Sequence, residues 1–472
     1  MPKLRRTAVY TLAVVLLAVG LRLLYGPAEV GYDARFSLVW GDELAHLRAP
    51  DYGAELSPTS HPLANLIGLL ASLTGGSGPA VLAGLSFVAL AGLGLAAFVA
   101  GRRSFGIVAG IVFALILLTR PLLVSETLDS SIDIPFLALV VTALALELDK
   151  PRRSRAVLVT LALAGLLRPE AWLLSLAYLA YVAAARPRSS WPRLTALALA
   201  APVVWCAFDL ATTGAPFHSL TTTQELAGTL QRQRGLDDAF ADTPVNLRVI
   251  LGTEVAWTGV AVAVAALLAA LDRALVPLAT LAVGLLGFIA LGLADLPLLT
   301  RYLLVPSAML ALFCAAGVGA FEWLRPGRLR LAIGCVVAVA VGAALVGGAG
   351  AAREEIDFNR EQVARNKLMR DALLQLADVA RERGLAGCAP IGTATHRAIP
   401  LLAYALDRRP SDIHVVLPAK QRSGLLFAAP AATLIGDVGL LPGVTIRSQE
   451  LVTPSSFTRL GATRWWTLAA RC

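Results

Sequence analysis

Charge is scarce in this chain. Only 15% of its 472 residues are Asp, Glu, Lys or Arg, where a soluble chain averages about 25%. The net charge is +9, yet no basic face with interleaved aromatic residues appears, which excludes a nucleic-acid partner. No small-residue cleavage site follows the apolar stretch from Thr7 to Tyr25. That stretch therefore reads as an uncleaved first helix rather than a signal peptide. Internal repeats and mid-span charges, which a transporter or lipid flippase would show, are also missing.

What is present is apolar sequence. Hydrophobic residues make up 57% of the chain, and mean hydropathy is +0.70. They gather in runs of about 17–23 residues, long enough to cross a bilayer core of about 30 Å as helices. Spans are expected at 7–25, 79–101, 107–124, 132–148, 156–167, 171–185, 194–212, 250–271, 274–293, 302–324 and 331–350, about eleven in all. The two runs at 156–167 and 171–185 are short, and Arg168-Pro169-Glu170 separates them. Basic clusters fill alternate turns: Lys3/Arg5/Arg6, Arg102/Arg103, Lys150/Arg152/Arg153/Arg155, Arg186/Arg188/Arg193 and Arg325/Arg328/Arg330. The positive-inside rule then places the N-terminus in the cytoplasm and the C-terminal segment outside the plasma membrane.

The expected architecture is an all-α polytopic membrane bundle over 1–350, followed by a small extracytoplasmic α/β domain over 351–472. Two outer loops interrupt the bundle. The first, 26–78, holds Asp33, Asp42, Glu43, His46, Asp51, Glu55 and His61. Its stretch from His61 to Thr74 is apolar but too short to span, so an interfacial helix opened by Pro62 is expected. The second, 213–249, is polar around Thr221-Thr222-Thr223-Gln224-Glu225, and is expected to be a mobile loop. Beyond the last span, apolar residues recur at helical spacing from Arg353 to Arg383, with Gly384 as a stop. Strand-like runs follow at Ile413–Leu417 and Trp465–Ala469.

Of the five cysteines, Cys206, Cys314 and Cys335 fall in spans and read as apolar filler. Cys388 and Cys472 share the outer compartment, where a disulfide between them is expected.

Outer ionisable residues carry the candidate chemistry. A carboxylate at a membrane surface can take a proton from a hydroxyl or hold a divalent cation such as Mg2+ or Mn2+. Asp33 stands about eight residues beyond the first span, and the adjacent Asp42-Glu43 pair lies later in the same loop. Glu126, Asp129 and Asp133 follow the third span. Asp133 opens the next apolar segment, where an ionisable group costs free energy and tends to be functional. Arg168 and Arg301 stand at outer helix ends against the positive-inside bias, where a guanidinium can hold a lipid-linked phosphate in a bidentate contact. Arg120 is a weaker third candidate. His61 reads as a structural or acceptor-orienting residue, and Asp51 as a solvated loop acid.

The motifs carrying these residues resemble one family. Asp33 with Trp40-Gly41, Ser60-His61-Pro62-Leu63, Gly101-Arg102-Arg103-Ser104-Phe105-Gly106, Leu167-Arg168-Pro169-Glu170-Ala171-Trp172 and Arg301-Tyr302-Leu303-Leu304-Val305-Pro306 are similar to polyprenyl-phosphate-dependent GT-C glycosyltransferases. Protein O-mannosyltransferases and the lipid A aminoarabinose transferase belong to that group. The similarity covers most of residues 1–325. The family's adjacent Asp-Glu pair corresponds to Asp42-Glu43 only if displaced along the loop, while Asp33 fits the position better. The base therefore stays open between them. One proline of the usual His-Pro-Pro-Leu is missing at His61-Pro62-Leu63.

The resemblance implies an inverting sugar transfer from a polyprenyl-phosphate donor to an acceptor hydroxyl on a glycan, lipid or protein. It casts Asp33 first and Asp133 second as catalytic carboxylates. Arg301 and Arg168 become phosphate ligands, and His61, Glu170 and Tyr302 acceptor-side or structural residues. The alternatives are a multi-span transporter or flippase, and a non-catalytic envelope assembly protein.

Overall fold

A computed structural model of the protein describes residues 3–185, 187–324, 327–429 and 452–472. Arg186 and Arg325 of the basic clusters lie outside them. The helices run in the order α1 (Lys3–Tyr25), α2 (Tyr32–Ala45), α3 (Pro62–Ser72), α4 (Gly78–Phe105), α5 (Ile107–Thr119), α6 (Pro121–Leu128), α7 (Asp133–Asp149), α8 (Ser154–Gly165) and α9 (Glu170–Ala183). They continue with α10 (Trp191–Thr213), α11 (His218–Thr229), α12 (Leu236–Leu251), α13 (Thr253–Ala269), α14 (Leu271–Leu293), α15 (Leu304–Val318), α16 (Ala320–Trp323) and α17 (Arg328–Glu382). The C-terminal domain adds β1 (Ile391–Thr393), α18 (Ile399–Leu406), β2 (Ile413–Val415), β3 (Gly424–Ala428), β4 (Thr458–Ala462) and β5 (Thr467–Arg471).

Every apolar segment expected to span falls on a helix. Among the described residues, α1, α4, α10, α14, α15 and α17 are each long and apolar enough to cross a bilayer. The pairs α5–α6, bent by 56°, and α12–α13, bent by 113°, raise the number to eight. The other three expected spans lie on α7, α8 and α9, of 17, 12 and 14 residues. At 1.5 Å per residue, α8 reaches only about 18 Å. Its chain breaks at Leu166–Pro169 and turns back as α9, as Arg168-Pro169-Glu170 implied.

Burial separates a protein-packed centre from a lipid-facing shell. In α15, all residues from Leu304 to Gly317 are buried. In α1, Leu12, Val15, Leu16, Val19 and Leu23 are exposed. Apolar side chains on the outside of a bundle are what lipid tails solvate.

Several expectations need correction. The 213–249 segment is not a mobile loop. It forms α11 and α12, held by Asp209, whose carboxylate accepts from the Ser219 amide at 2.9 Å and the Ser219 hydroxyl at 2.8 Å. The segment at 302–324 is interrupted at Gly319, between α15 and α16. The last span and the charged helix beyond it are one rod, the 55-residue α17. It carries the C-terminal domain out from the bundle.

That domain is a five-stranded sheet in the order β2-β1-β3-β5-β4. β1 runs parallel to β2 and β3, and β5 runs antiparallel to β3 and β4. Cys388 and Cys472 are joined by a disulfide, with Cα atoms 5.8 Å apart.

The first outer loop is wedged beneath this domain. Phe36, Val39 and Trp40 of α2 share one core with Leu373 and Leu376 of α17, Ile399 and Leu402 of α18, and Leu425 and Phe427 of β3. On the other side of α2 its backbone touches α3: a Cβ at Gly68 would lie 2.0 Å from the Ser37 carbonyl, and one at Gly41 2.2 Å from the Leu69 nitrogen. Only glycine permits that approach.

Asp51 is not a solvated acid. It is buried, accepts from the Gly53 amide at 3.0 Å and the Ser411 amide at 2.8 Å, and faces Arg409. It stitches the first loop to the C-terminal domain.

Candidate active site

One end of the bundle and the underside of the C-terminal domain enclose a cavity of about 780 Å³. Its wall includes Asp33, His61, Glu126, Asp129, Arg168, Glu170, Arg301 and Tyr302 from the bundle, and Arg370, His396 and Arg397 from the other side.

Asp33 lies in the first turn of α2, where a carboxylate favours the helix dipole. Its side chain remains 45% exposed. Asp133 opens α7 and is fully buried. The Ser131 hydroxyl donates to its Oδ2 at 2.7 Å and accepts from its amide at 3.2 Å. Arg168, in the break between α8 and α9, pairs with Asp133 and reaches Glu170 at 3.5 Å. Its guanidinium also stacks 5.1 Å from the centre of the Tyr302 ring.

Arg301 joins the two aspartates. One guanidinium nitrogen lies 3.5 Å from Asp33 Oδ2 and the other 3.8 Å from Asp133 Oδ2. The expected carboxylates and arginines thus meet in one chain of charges. Its order is Glu170, Arg168, Asp133, Arg301, Asp33, most buried at Asp133 and open at the Asp33 end. Both Asp133 oxygens face arginines, so this residue is a buried counter-charge. Asp33 is the exposed carboxylate of this charge chain. The Arg168 side chain is buried, whereas that of Arg301 is 28% exposed, so Arg301 is the arginine on the open side of the cluster.

His61 sits at the start of α3 with Nδ1 buried and without a hydrogen-bond partner. Its ring meets Trp205 edge-on at 5.4 Å. Burial, helped by the Arg168 and Arg301 charges, lowers the imidazole to about 3. The ring is therefore neutral and cannot exchange a proton near neutral pH. Asp129 lines the cavity, and burial raises its carboxyl to about 6 against the pull of Arg35 and Arg397.

The Asp42-Glu43 pair stands elsewhere. Asp42 faces His46 and Arg48, while Glu43 accepts from the Asp51 amide at 2.7 Å and faces Arg409. Neither lines the cavity. Arg120 is also apart from it, donating to the Leu251 carbonyl at 2.7 Å. Among the described residues, no group of three or more His, Cys, Asp or Glu side chains is placed to hold a metal ion.

Sequence reasoning assigned no role to Glu29, Arg35, Asp209, Arg232, Arg370, His396 or Arg397, all on the cavity wall. Arg232 and Arg397 make no ion pair among the described residues. Arg35 and Glu29 belong to the first outer loop already singled out, but nothing local marks them. Arg370 is hidden in a helix whose charges look like a solvated face. One flank of the cavity is apolar, with Leu173, Trp205, Gly287, Ala290 and Leu291 from α9, α10 and α14.

Solved structures share this fold. ArnT from Cupriavidus metallidurans bound to undecaprenyl phosphate superposes with a TM-score of 0.54 at 14% identity, over 98% of each chain. The chain has the GT-C fold. ArnT in its apo state gives 0.52 at 16% identity, again over 98% of each chain. The GT-C fold also aligns with the oligosaccharyltransferase AglB from Archaeoglobus fulgidus, in complex with an inhibitory peptide and a dolichol-phosphate. There the TM-score is 0.52 at 12% identity, over 85% of this chain and 64% of AglB. No protein-family profile and no curated protein matches the sequence. The loop motifs thus pointed to the GT-C fold, although overall identity to these structures is only 12–16%.

Proposed function

We propose that the protein is an inverting membrane glycosyltransferase. It moves a sugar from a polyprenyl-phosphate donor to an acceptor hydroxyl on the extracytoplasmic face. The observation that carries this reading is Asp33 beside Arg301 on the open wall of a cavity between bundle and outer domain. Two further facts support it: ArnT, which shares the fold, binds undecaprenyl phosphate, and the cavity has an apolar flank suited to a lipid.

In the reaction, the acceptor oxygen attacks the anomeric carbon as Asp33 takes its proton. The bond from that carbon to the phosphate oxygen breaks, and polyprenyl phosphate leaves with the electron pair. Arg301 faces the growing negative charge, the kind of interaction that is stronger in the transition state than in the ground state. A single displacement inverts the anomeric centre, and no covalent enzyme intermediate is needed. His61, neutral and fixed, orients rather than titrates.

A transporter is disfavoured by position. Asp33, Asp133, Arg168 and Arg301 all stand at helix ends, whereas transporters build their sites near the bilayer midplane.

The test is transfer by detergent-purified protein from a synthetic polyprenyl-phosphate sugar to envelope glycan, lipid and peptide acceptors. Failure to consume any such donor overturns the reading. The orientation has its own check. With the N-terminus cytoplasmic, a cysteine at 225 is labelled by an impermeant reagent from outside, and one at 153 or 188 is not. Labelling of 153 from outside reverses the topology. Residue 430, a further outer position by this topology, lies outside the described residues.

A further inference from the structure

We infer that Glu29 is a positioning residue for Asp33, acting as a latch between the C-terminal domain and the loop that presents the carboxylate. The inference rests on Asp33 being the base.

Glu29 is only 6% exposed, although it lies in a loop on the cavity wall. Its Oε1 accepts from two arginines. Arg35 Nη2 lies 2.9 Å away, on the helix that carries Asp33. Arg370 Nη1 comes from α17, 341 residues along the chain. A shared carboxylate holds together two cations that would otherwise repel at short range. Arg370 also contacts Asp371, but that side chain is 49% exposed and its pairing is screened.

The backbone around Glu29 is equally committed. Its amide donates to the Leu128 carbonyl at 2.6 Å, and the Gly31 amide donates to the Asp129 carbonyl at 2.8 Å. The Ser130 hydroxyl donates back to the Glu29 carbonyl at 3.1 Å. A Cβ at Gly31 would lie 2.7 Å from the Asp129 oxygen, so the two strands of chain run in contact. The loop leading to Asp33 is thereby zipped to the loop leading to Asp133. Arg370 ties that zipper to the rod whose next turn, at Leu373 and Leu376, packs in the core shared with Phe36 and Trp40.

The consequence is mechanical. Asp33 is four residues beyond Glu29, and Arg35 is two beyond Asp33. Moving α17 or neutralising Glu29 shifts the start of α2, and with it the carboxylate relative to Arg301. Displacement of a reacting group by about 1 Å can cost about 10²-fold in rate.

The experiment uses the full-length protein in the donor assay. Glu29→Gln keeps shape but removes charge. It is expected to lower kcat about 10–100-fold, with donor KM unchanged and the thermal melt near wild type. Arg370→Gln should do the same while leaving the Glu29–Arg35 pair in place. The double variant should be about as slow as either single one, because the two side chains act as one unit. Glu29→Asp, which keeps the charge, should recover most of the rate.

Wild-type kcat in Glu29→Gln overturns the inference, as does a multiplicative double variant or a rise in donor KM that accounts for the loss. Should Glu29→Gln fail to fold, Arg370→Gln decides alone on the same kcat criterion. A wild-type protein that consumes no donor defeats the glycosyltransferase reading instead, so the two failures are distinguishable.

Discussion

Asp33→Asn is expected to slow sugar transfer by about 10²–10⁴-fold, the usual contribution of a positioned acid–base group. The substitution conserves volume, and among the described residues the Asp33 side chain forms one ion pair, the partly exposed contact with Arg301 at 3.5 Å. Thermal stability should therefore stay near wild type, separating catalysis from folding. Asp42→Asn should keep turnover, because that carboxylate faces His46 and Arg48 at the surface and does not line the cavity. Glu43→Gln should keep turnover per folded molecule but weaken the loop, since Glu43 holds the buried Asp51 amide. The reverse pattern, an active Asp33→Asn with an inactive Glu43→Gln, would move the base to the adjacent pair. A non-catalytic assembly protein predicts a third pattern: Asp33→Asn supports envelope assembly as well as wild type, and no donor is consumed by any variant.

Two kinds of residue were readable before the structure, for one reason. Apolar runs report the membrane because each backbone polar group in lipid must be satisfied within a helix. Ionisable residues at outer span ends stand out against that background. Asp33, Asp133, Arg168 and Arg301 were found in this way, and they meet in one cluster. What they do to one another was not readable. Asp133 and Arg168 look as available in sequence as Asp33 and Arg301, yet the first pair is buried and mutually neutralised.

The misreadings share a cause as well. Asp51 looks solvated because the Ser411 amide that engages it lies 360 positions away, beyond the reach of any local pattern. Thr221, Thr222 and Thr223 are poor helix formers, so 213–249 read as a loop. Its helix is held from outside, by Asp209 on Ser219 and by a hydroxyl contact of 2.6 Å between Thr59 and Thr223. Glu29 and Arg370 were missed for the same reason. A charged residue in a loop, like Glu29, or on an amphipathic helix, like Arg370, carries no local sign of the partner that tertiary structure brings to it.

The buried half of the charge chain makes the other large prediction. Arg168→Ala should destabilise the protein by about 3–5 kcal/mol, the cost of leaving a buried charge without its partner. Asp133 has no exposed surface to fall back on, and its remaining arginine, Arg301, is 3.8 Å away and shared with Asp33. Arg168→Lys should be intermediate, because an ammonium cannot reach Asp133 and Glu170 with the geometry of a planar guanidinium, nor stack as well on Tyr302. The informative comparison is the double variant Arg168→Met/Asp133→Leu. Replacing both members of a buried pair by apolar side chains of similar size is often neutral for stability, so its melt should return towards wild type. Its turnover should not return, because Arg301 then loses the buried counter-charge that holds it between Asp133 and Asp33. Melting temperature and donor turnover, measured side by side, check both statements. An Arg168→Ala protein that melts with wild type would show that Asp133 is not held as a buried anion. An active double variant would show that the buried pair serves the fold alone.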